Sequence, residues 1–234
     1  MNIPATLRSF GGGILLWILS IPIFLFTLLP LISSTSAGVS HVYLLSAAWN
    51  TESRKDTLLR IGYYGLCWIG GGQSTVCVTT TGASARSIAE NHFSEKGRDN
   101  TIRGIQFALD LQRSVFVAFM TAGGLAWLVS LILVTLIVLA RGNASRSWRY
   151  AARLLSSSAA VLMVSSAWAT GQAIRAMIIM DEYTAGNERY FTPGTTLIAL
   201  QWIAALLTCI YAFGVGHVSA AGQNEQVYTY NLGK

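Results

Sequence analysis

Four long apolar stretches divide the chain, and polar segments of very unequal length separate them. The first runs over residues 13–32 and is interrupted only by Ser20 and Thr27; the others cover 115–140, 154–180 and 195–216. At 1.5 Å per residue, about 20 residues match a hydrocarbon core about 30 Å thick, so each stretch predicts a membrane-spanning helix. Pro22 predicts a kink in the first, which a spanning helix tolerates when its neighbours re-satisfy the freed backbone groups. Ile32-Ser-Ser-Thr-Ser-Ala-Gly38 also offers the small residues of a signal cleavage site. The apolar run before it exceeds the roughly 7 to 15 residues of a signal core, which favours a retained span. What remains is a short N-terminus (1–12), a long polar region (33–114), two short loops (141–153 and 181–194) and a tail (217–234).

The long polar region is too large for a free linker. Residues 41–49, 58–69 and 74–80 are rich in aromatic and β-branched side chains, with turn signals at Asn50-Thr51-Glu52 and Gly70-Gly71-Gly72, which predicts a three-stranded sheet. Further on, Asp99-Asn100 supply an N-cap, and Ile102, Ile105, Leu109 and Leu111 recur at helical spacing, predicting a helix that runs into the second span near Val115. Gly123-Gly124 in that span marks a close approach of another backbone. The third span is rich in Ser, Ala and Gly, including Ser156, Ala159, Ala160, Ser166 and Gly171, and so is expected to be the most buried of the four. The expected fold is a mainly α membrane protein, a four-transmembrane-helix bundle carrying a small extracellular β-sheet.

Composition supports this and excludes a soluble domain. Hydrophobic residues make up 53% of the chain, charged residues 11%, and the mean hydropathy is +0.49, where a soluble domain carries about 25% charge. The net charge of +6 is spread thinly and flanks apolar segments, so it reads as topology and not as a nucleic-acid footprint. Loop 141–153 holds Arg141, Arg146, Arg149 and Arg153 with no acid, whereas loop 181–194 has Arg189 alone among acids. The positive-inside rule then places both termini and the basic loop in the cytoplasm and the other two polar segments outside. The sequon Asn143-Ala-Ser145 falls inside and is expected to stay unmodified.

Candidate chemistry is sparse. Cys67 and Cys77 lie on the outer, oxidising side and form a disulfide candidate, worth about 2 to 3 kcal/mol on the loop-entropy model. A zinc site needs two further ligands, and His41 and His92 are isolated. Cys209, inside the last span, behaves as a small apolar residue. Asp181, Glu182 and Glu188 offer an outer cation site, against the plainer reading of three solvated acids. No acid falls well inside a span, as a calcium pore would require, and Arg175 is near enough to a span end to snorkel. Gln201 is expected to bond a neighbouring helix. Without a Gly-x-Ser-x-Gly elbow, a phosphate loop or His-Glu-x-x-His, the chain reads as no enzyme and implies no organic cofactor.

Val42-Tyr-Leu-Leu-Ser46 and Arg60-Ile-Gly-Tyr-Tyr-Gly-Leu-Cys67, followed by Cys77 on a four-span chain, resemble the fungal factor-induced-gene-one family of calcium regulators and membrane fusion proteins. More distantly, the arrangement is similar to claudin-like tetraspans, whose outer loop carries Gly-Leu-Trp before two cysteines on a small sheet; here Cys67 follows Gly65-Leu66 directly and Trp68 comes after it. The resemblance implies a multi-pass plasma-membrane regulator of calcium influx in mating, cell fusion and polarised growth, acting as an accessory of the low-affinity calcium uptake system. Gly62, Gly65, Cys67 and Cys77 are its motif residues. The alternative is a claudin-like adhesion or membrane-organising tetraspan without a calcium role. Implied partners are the bilayer, a calcium channel subunit and further copies of the chain; calcium is the ligand implied, with no residues assigned to it.

Overall fold

The computed structural model describes residues 5–51, 54–69, 75–92, 102, 105–110, 112, 117–140, 145–184 and 189–232. Four long helices dominate the described residues, α1 (Ala5–Leu31), α3 (Val117–Leu139), α4 (Arg146–Thr184) and α5 (Thr195–Leu232), with a short α2 (Ala85–His92) between the first two. α1, α3, α4 and α5 are each long and apolar enough to cross a membrane, and the protein is a multi-pass membrane protein. α1 is continuous through Pro22. α4 begins at Arg146, inside the segment whose charge reads as a loop, and its 39 residues span about 58 Å, nearly twice a hydrocarbon core.

The chain forms two compact units. The helical unit comprises Met1–Phe26, Ala118–Ser165 and Trp202–Lys234. Its core is built from Leu16, Ile23, Trp127, Val134, Ala152, Ala159, Tyr211 and Val215, with the Trp127 and Tyr211 rings edge to face at 6.2 Å. Gly123 lies against α4: a Cβ there would be 3.2 to 3.3 Å from Leu162 and Met163 side-chain carbons and 3.5 Å from the backbone carbonyl oxygen of Ala159. On α4 the buried positions Ala152, Ser156, Ala159, Met163, Ala167, Thr170 and Ile174 recur every three or four residues, the stripe of a helix packed on its neighbours. In its apolar span 39% of residues are buried against 28 to 33% in the other three, so the third span is the most buried, as its small side chains predict.

The second unit comprises Thr27–Val117 and Ser166–Gln201. It holds an antiparallel sheet of β1 (Leu45–Thr51), β2 (Arg54–Ile61), β3 (Gly65–Ile69), β4 (Val76–Thr79) and β5 (Arg189–Pro193), in the order β4-β3-β2-β1-β5. Two sequence expectations need correction. The stretch 58–69 is two strands, broken at Gly62-Tyr63-Tyr64, and the sheet has five strands, because the segment between the third and fourth spans adds β5 to the edge at β1, pairing Leu45 with Pro193 and Ala47 with Phe191. A helix unread in the sequence, α2, opens at the N-cap Ser84, whose hydroxyl accepts from the Ser87 N–H at 3.2 Å. Residues 105–110 and Gln112 are helical, and Ile105, Ala108 and Leu109 form a buried face; Phe107 stacks on Phe191 at 5.7 Å. The Asp99-Asn100 cap and the join of this helix to the second span lie outside the described residues.

Candidate functional site

The sharpest local structure in the second unit is the turn between β2 and β3. The Gly62 N–H donates to the Gly65 carbonyl at 2.9 Å, closing a two-residue hairpin loop of Tyr63 and Tyr64. Neither glycine adopts a positive φ; among the described residues Gly82 and Ser34 do. The glycines are required instead by proximity: a Cβ at Gly62 would overlap the carbonyl oxygen of Ser33, and one at Gly65 that of Ser34. The two serines follow α1 and are fully buried. Ser34 holds the left-handed region at φ 56°, a conformation costing an L-residue about 1 kcal/mol, and its hydroxyl donates to the Val42 carbonyl at 3.2 Å. The small residues that resemble a cleavage site thus form the bed of the hairpin.

Polar contacts hold the turn in that bed. Gln112 donates through Nε2 to both the Gly62 and Gly65 carbonyls, at 2.7 and 3.1 Å, so one amide clips both ends of the loop. The Tyr63 N–H donates to the Ser33 hydroxyl at 3.3 Å. The Tyr63 ring is buried; its hydroxyl shares a hydrogen bond with Thr170 at 3.0 Å and accepts one from Gln201 Nε2. Gln201, expected to join two spans, in fact reaches the hairpin turn. Burial pushes the Tyr63 hydroxyl pKa above its ordinary 10.0, and the bonds to Thr170 and Gln201 oppose part of that rise.

Cys67 and Cys77 face each other across β3 and β4 and are joined, with Cα atoms 4.1 Å apart. The Cys67 sulfur lies 3.3 Å from the Ser34 carbonyl; a disulfide sulfur carries no hydrogen, so this is packing and not a hydrogen bond. Arg60, opposite Cys67 in register, donates to the Ser40 carbonyl at 3.1 Å, approaches His41 Nδ1 at 3.4 Å and lies 5.0 Å over the Tyr43 ring. The structure therefore gathers Gly62, Gly65, Cys67 and Cys77 into one clamp. The weaker trio is not gathered: Asp181 and Glu182 lie on the last turn of α4 with their side chains outside the described residues, as is Glu188 entirely.

Ser33, Ser34, Gln112 and Thr170 belong to the clamp and escape sequence reasoning, since nothing but their polarity beside apolar runs marks them. A groove of about 450 Å³ is lined by Ser84, Ala85, Arg86, Ile102, Gln106, Leu109 and Asp110, with Arg86 paired to Glu90 at 3.3 Å on its exposed side. Among the described residues no group of three or more His, Cys, Asp or Glu is placed to hold a metal ion. The arrangement can brace a rigid sheet against helix ends. A comparison with curated proteins returns no match, while residues 12–214 match the family model described as the SUR7/PalI family.

Proposed function

The chain belongs to the SUR7/PalI family, a claudin-like tetraspan family of the plasma membrane, and on that premise we propose that it is a non-enzymatic organiser of the plasma membrane whose sheet presents a fixed surface to partners. The observation that carries this reading is the clamp: the Tyr63 hydroxyl ties the hairpin to Thr170 and Gln201 on two spanning helices, Gln112 clips both ends of its turn, and the disulfide fixes its second strand, β3, to β4. A surface held at so many points suits recognition better than gating. The sheet faces outward, where disulfides persist, with both termini in the cytoplasm by the arginine bias. The test is imaging of the tagged protein at the cell surface. The wild type should form slowly exchanging clusters, and Gly65→Val should reach the surface yet disperse; a uniform wild-type distribution without stable partners would sink the proposal.

The Val42 to Cys77 segment supports a second reading, regulation of calcium influx during mating, fusion and polarised growth through a channel subunit. Such a role would be exerted on another protein, because the four spans carry no acid to line a calcium path. Deleting the protein should then lower stimulated calcium uptake, with rescue by the wild type. Unchanged uptake in the deletion removes this reading and leaves the first standing.

A further inference from the structure

The α4 helix carries its own ruler for the bilayer. Between Arg153 and Arg175 there is no charged residue, and the 22 intervening steps measure about 33 Å, the thickness of a hydrocarbon core. Both arginines are exposed on the helix, so the two guanidinium groups mark the two edges of the apolar slab. Arg149 then falls about 6 Å beyond the Arg153 edge, in the headgroup zone, which adds about 5 to 7 Å on each side of the core, and Arg146 falls about 10 Å beyond that edge, at the aqueous border of the zone.

On the first two turns of α4 Arg146, Tyr150 and Arg153 follow at i, i+4 and i+7 and share one face. Arg146 and Arg153 are exposed, and Tyr150 between them is 64% exposed. Trp148, on the opposite side of the same turns, is 47% exposed, the placement of an aromatic anchor at a membrane interface. Arg153 is held in position, since its guanidinium donates to the Gly216 carbonyl of α5 at 3.3 Å. Arg149, buried in the helical unit, adds a further positive charge at the same level. No acid occurs between residues 111 and 180, and the acid on α5, Glu225, lies nine residues past Gly216, about 14 Å along the axis.

We propose that the Arg146–Tyr150–Arg153 face of α4 is a binding site for the headgroup of an anionic phospholipid. Two guanidinium groups flank the phosphate as bidentate donors, the Tyr150 hydroxyl supplies a donor between them, and the acyl chains descend along the apolar flank of the helix. The full chain reconstituted into bilayers of phosphatidylcholine with a minor share of phosphatidylserine, and released for native mass spectrometry, tests this. The wild type should retain phosphatidylserine in preference to phosphatidylcholine. Arg146→Gln should lower that retention about fivefold, the loss expected for one basic residue at an anionic surface, and Arg146→Gln with Arg153→Gln should lower it further. Arg175→Gln, which removes the same charge at the other edge, should leave it unchanged. Equal loss in Arg175→Gln, or none in Arg146→Gln, overturns the site; Arg146→Gln leaves the Gly216 contact intact, so its result does not depend on the fold of the double variant. Displacement of the lipid by inorganic phosphate would reassign the site to a soluble anion, and retention of an acidic protein in place of lipid would reassign it to a protein partner.

Discussion

At Gly65 a single methyl group would meet backbone, and backbone cannot move aside cheaply. Gly65→Ala should therefore destabilise the protein by about 1 to 3 kcal/mol through overpacking, read as a lowered thermal midpoint in detergent, whereas Ala at Gly82, which has open space around it, should cost only the strain of its positive φ. Gln112→Leu should cost about 1 to 3 kcal/mol, because the buried Gly62 carbonyl loses the amide donor and the Gly65 carbonyl keeps only the Gly62 N–H. Tyr63 adds a pH signature. Its folded pKa is raised above the unfolded value, so its contribution is fully present below about pH 10 and is lost as pH climbs through the folded value. The thermal midpoint should fall on the alkaline side of that point, and Tyr63→Phe should remove that part of the slope. Gly62 and Gly65 were legible as motif residues, though not the backbone they lie against. Gln112 was not, because a glutamine following Leu111 looks like any polar position of an amphipathic helix until the hairpin is seen to end on it.

At the scale of elements, the hairpin and the fifth strand hold the lesson about prediction. Ile61-Gly62-Tyr63-Tyr64-Gly65-Leu66 contains aromatic and apolar residues throughout and lacks the Asn, Asp or Pro that mark most turns, so its local composition argues for a continuous strand. The turn forms because it docks on Ser33 and Ser34, residues about 30 positions away. β5 was hidden for the same reason: Arg189–Pro193 is too short to announce itself and becomes a strand by pairing with β1. The cysteine pair, by contrast, was readable from compartment and spacing. Cys77→Ser should cost about 2 to 3 kcal/mol. In hydrogen exchange it should speed the amides of β3 and β4 while those of β1 paired with β5 remain protected; uniform loss of protection would show that the sheet opens as one unit.

For the whole molecule the testable property is orientation. With the Arg146 end of α4 in the cytoplasm, Asn143 stays unglycosylated in cells, and an acceptor site moved into the 81–84 loop that follows β4 becomes modified. Glycosylation at Asn143 would invert the assignment and carry the sheet to the opposite side. A second expectation joins the two ends of α4: a charge placed between Arg153 and Arg175, such as Ala160→Arg at a buried position, should impair insertion or packing far more than Arg175→Gln, since that interval matches the hydrocarbon thickness.

Four spans, the buried character of the third and the pairing of two cysteines follow from the sequence alone, because hydrophobic run length and small-residue content act through the bilayer, a solvent whose dimensions are known in advance, and two cysteines in one short polar segment have each other as partners. The break of 58–69 into a hairpin, the recruitment of β5 and the meeting of Ser33, Gln112, Thr170 and Gln201 around Gly62-Tyr63-Tyr64-Gly65 belong to the tertiary structure. They depend on contacts between segments distant in sequence, where the partner of a polar or glycine residue is set by which surfaces the fold brings together.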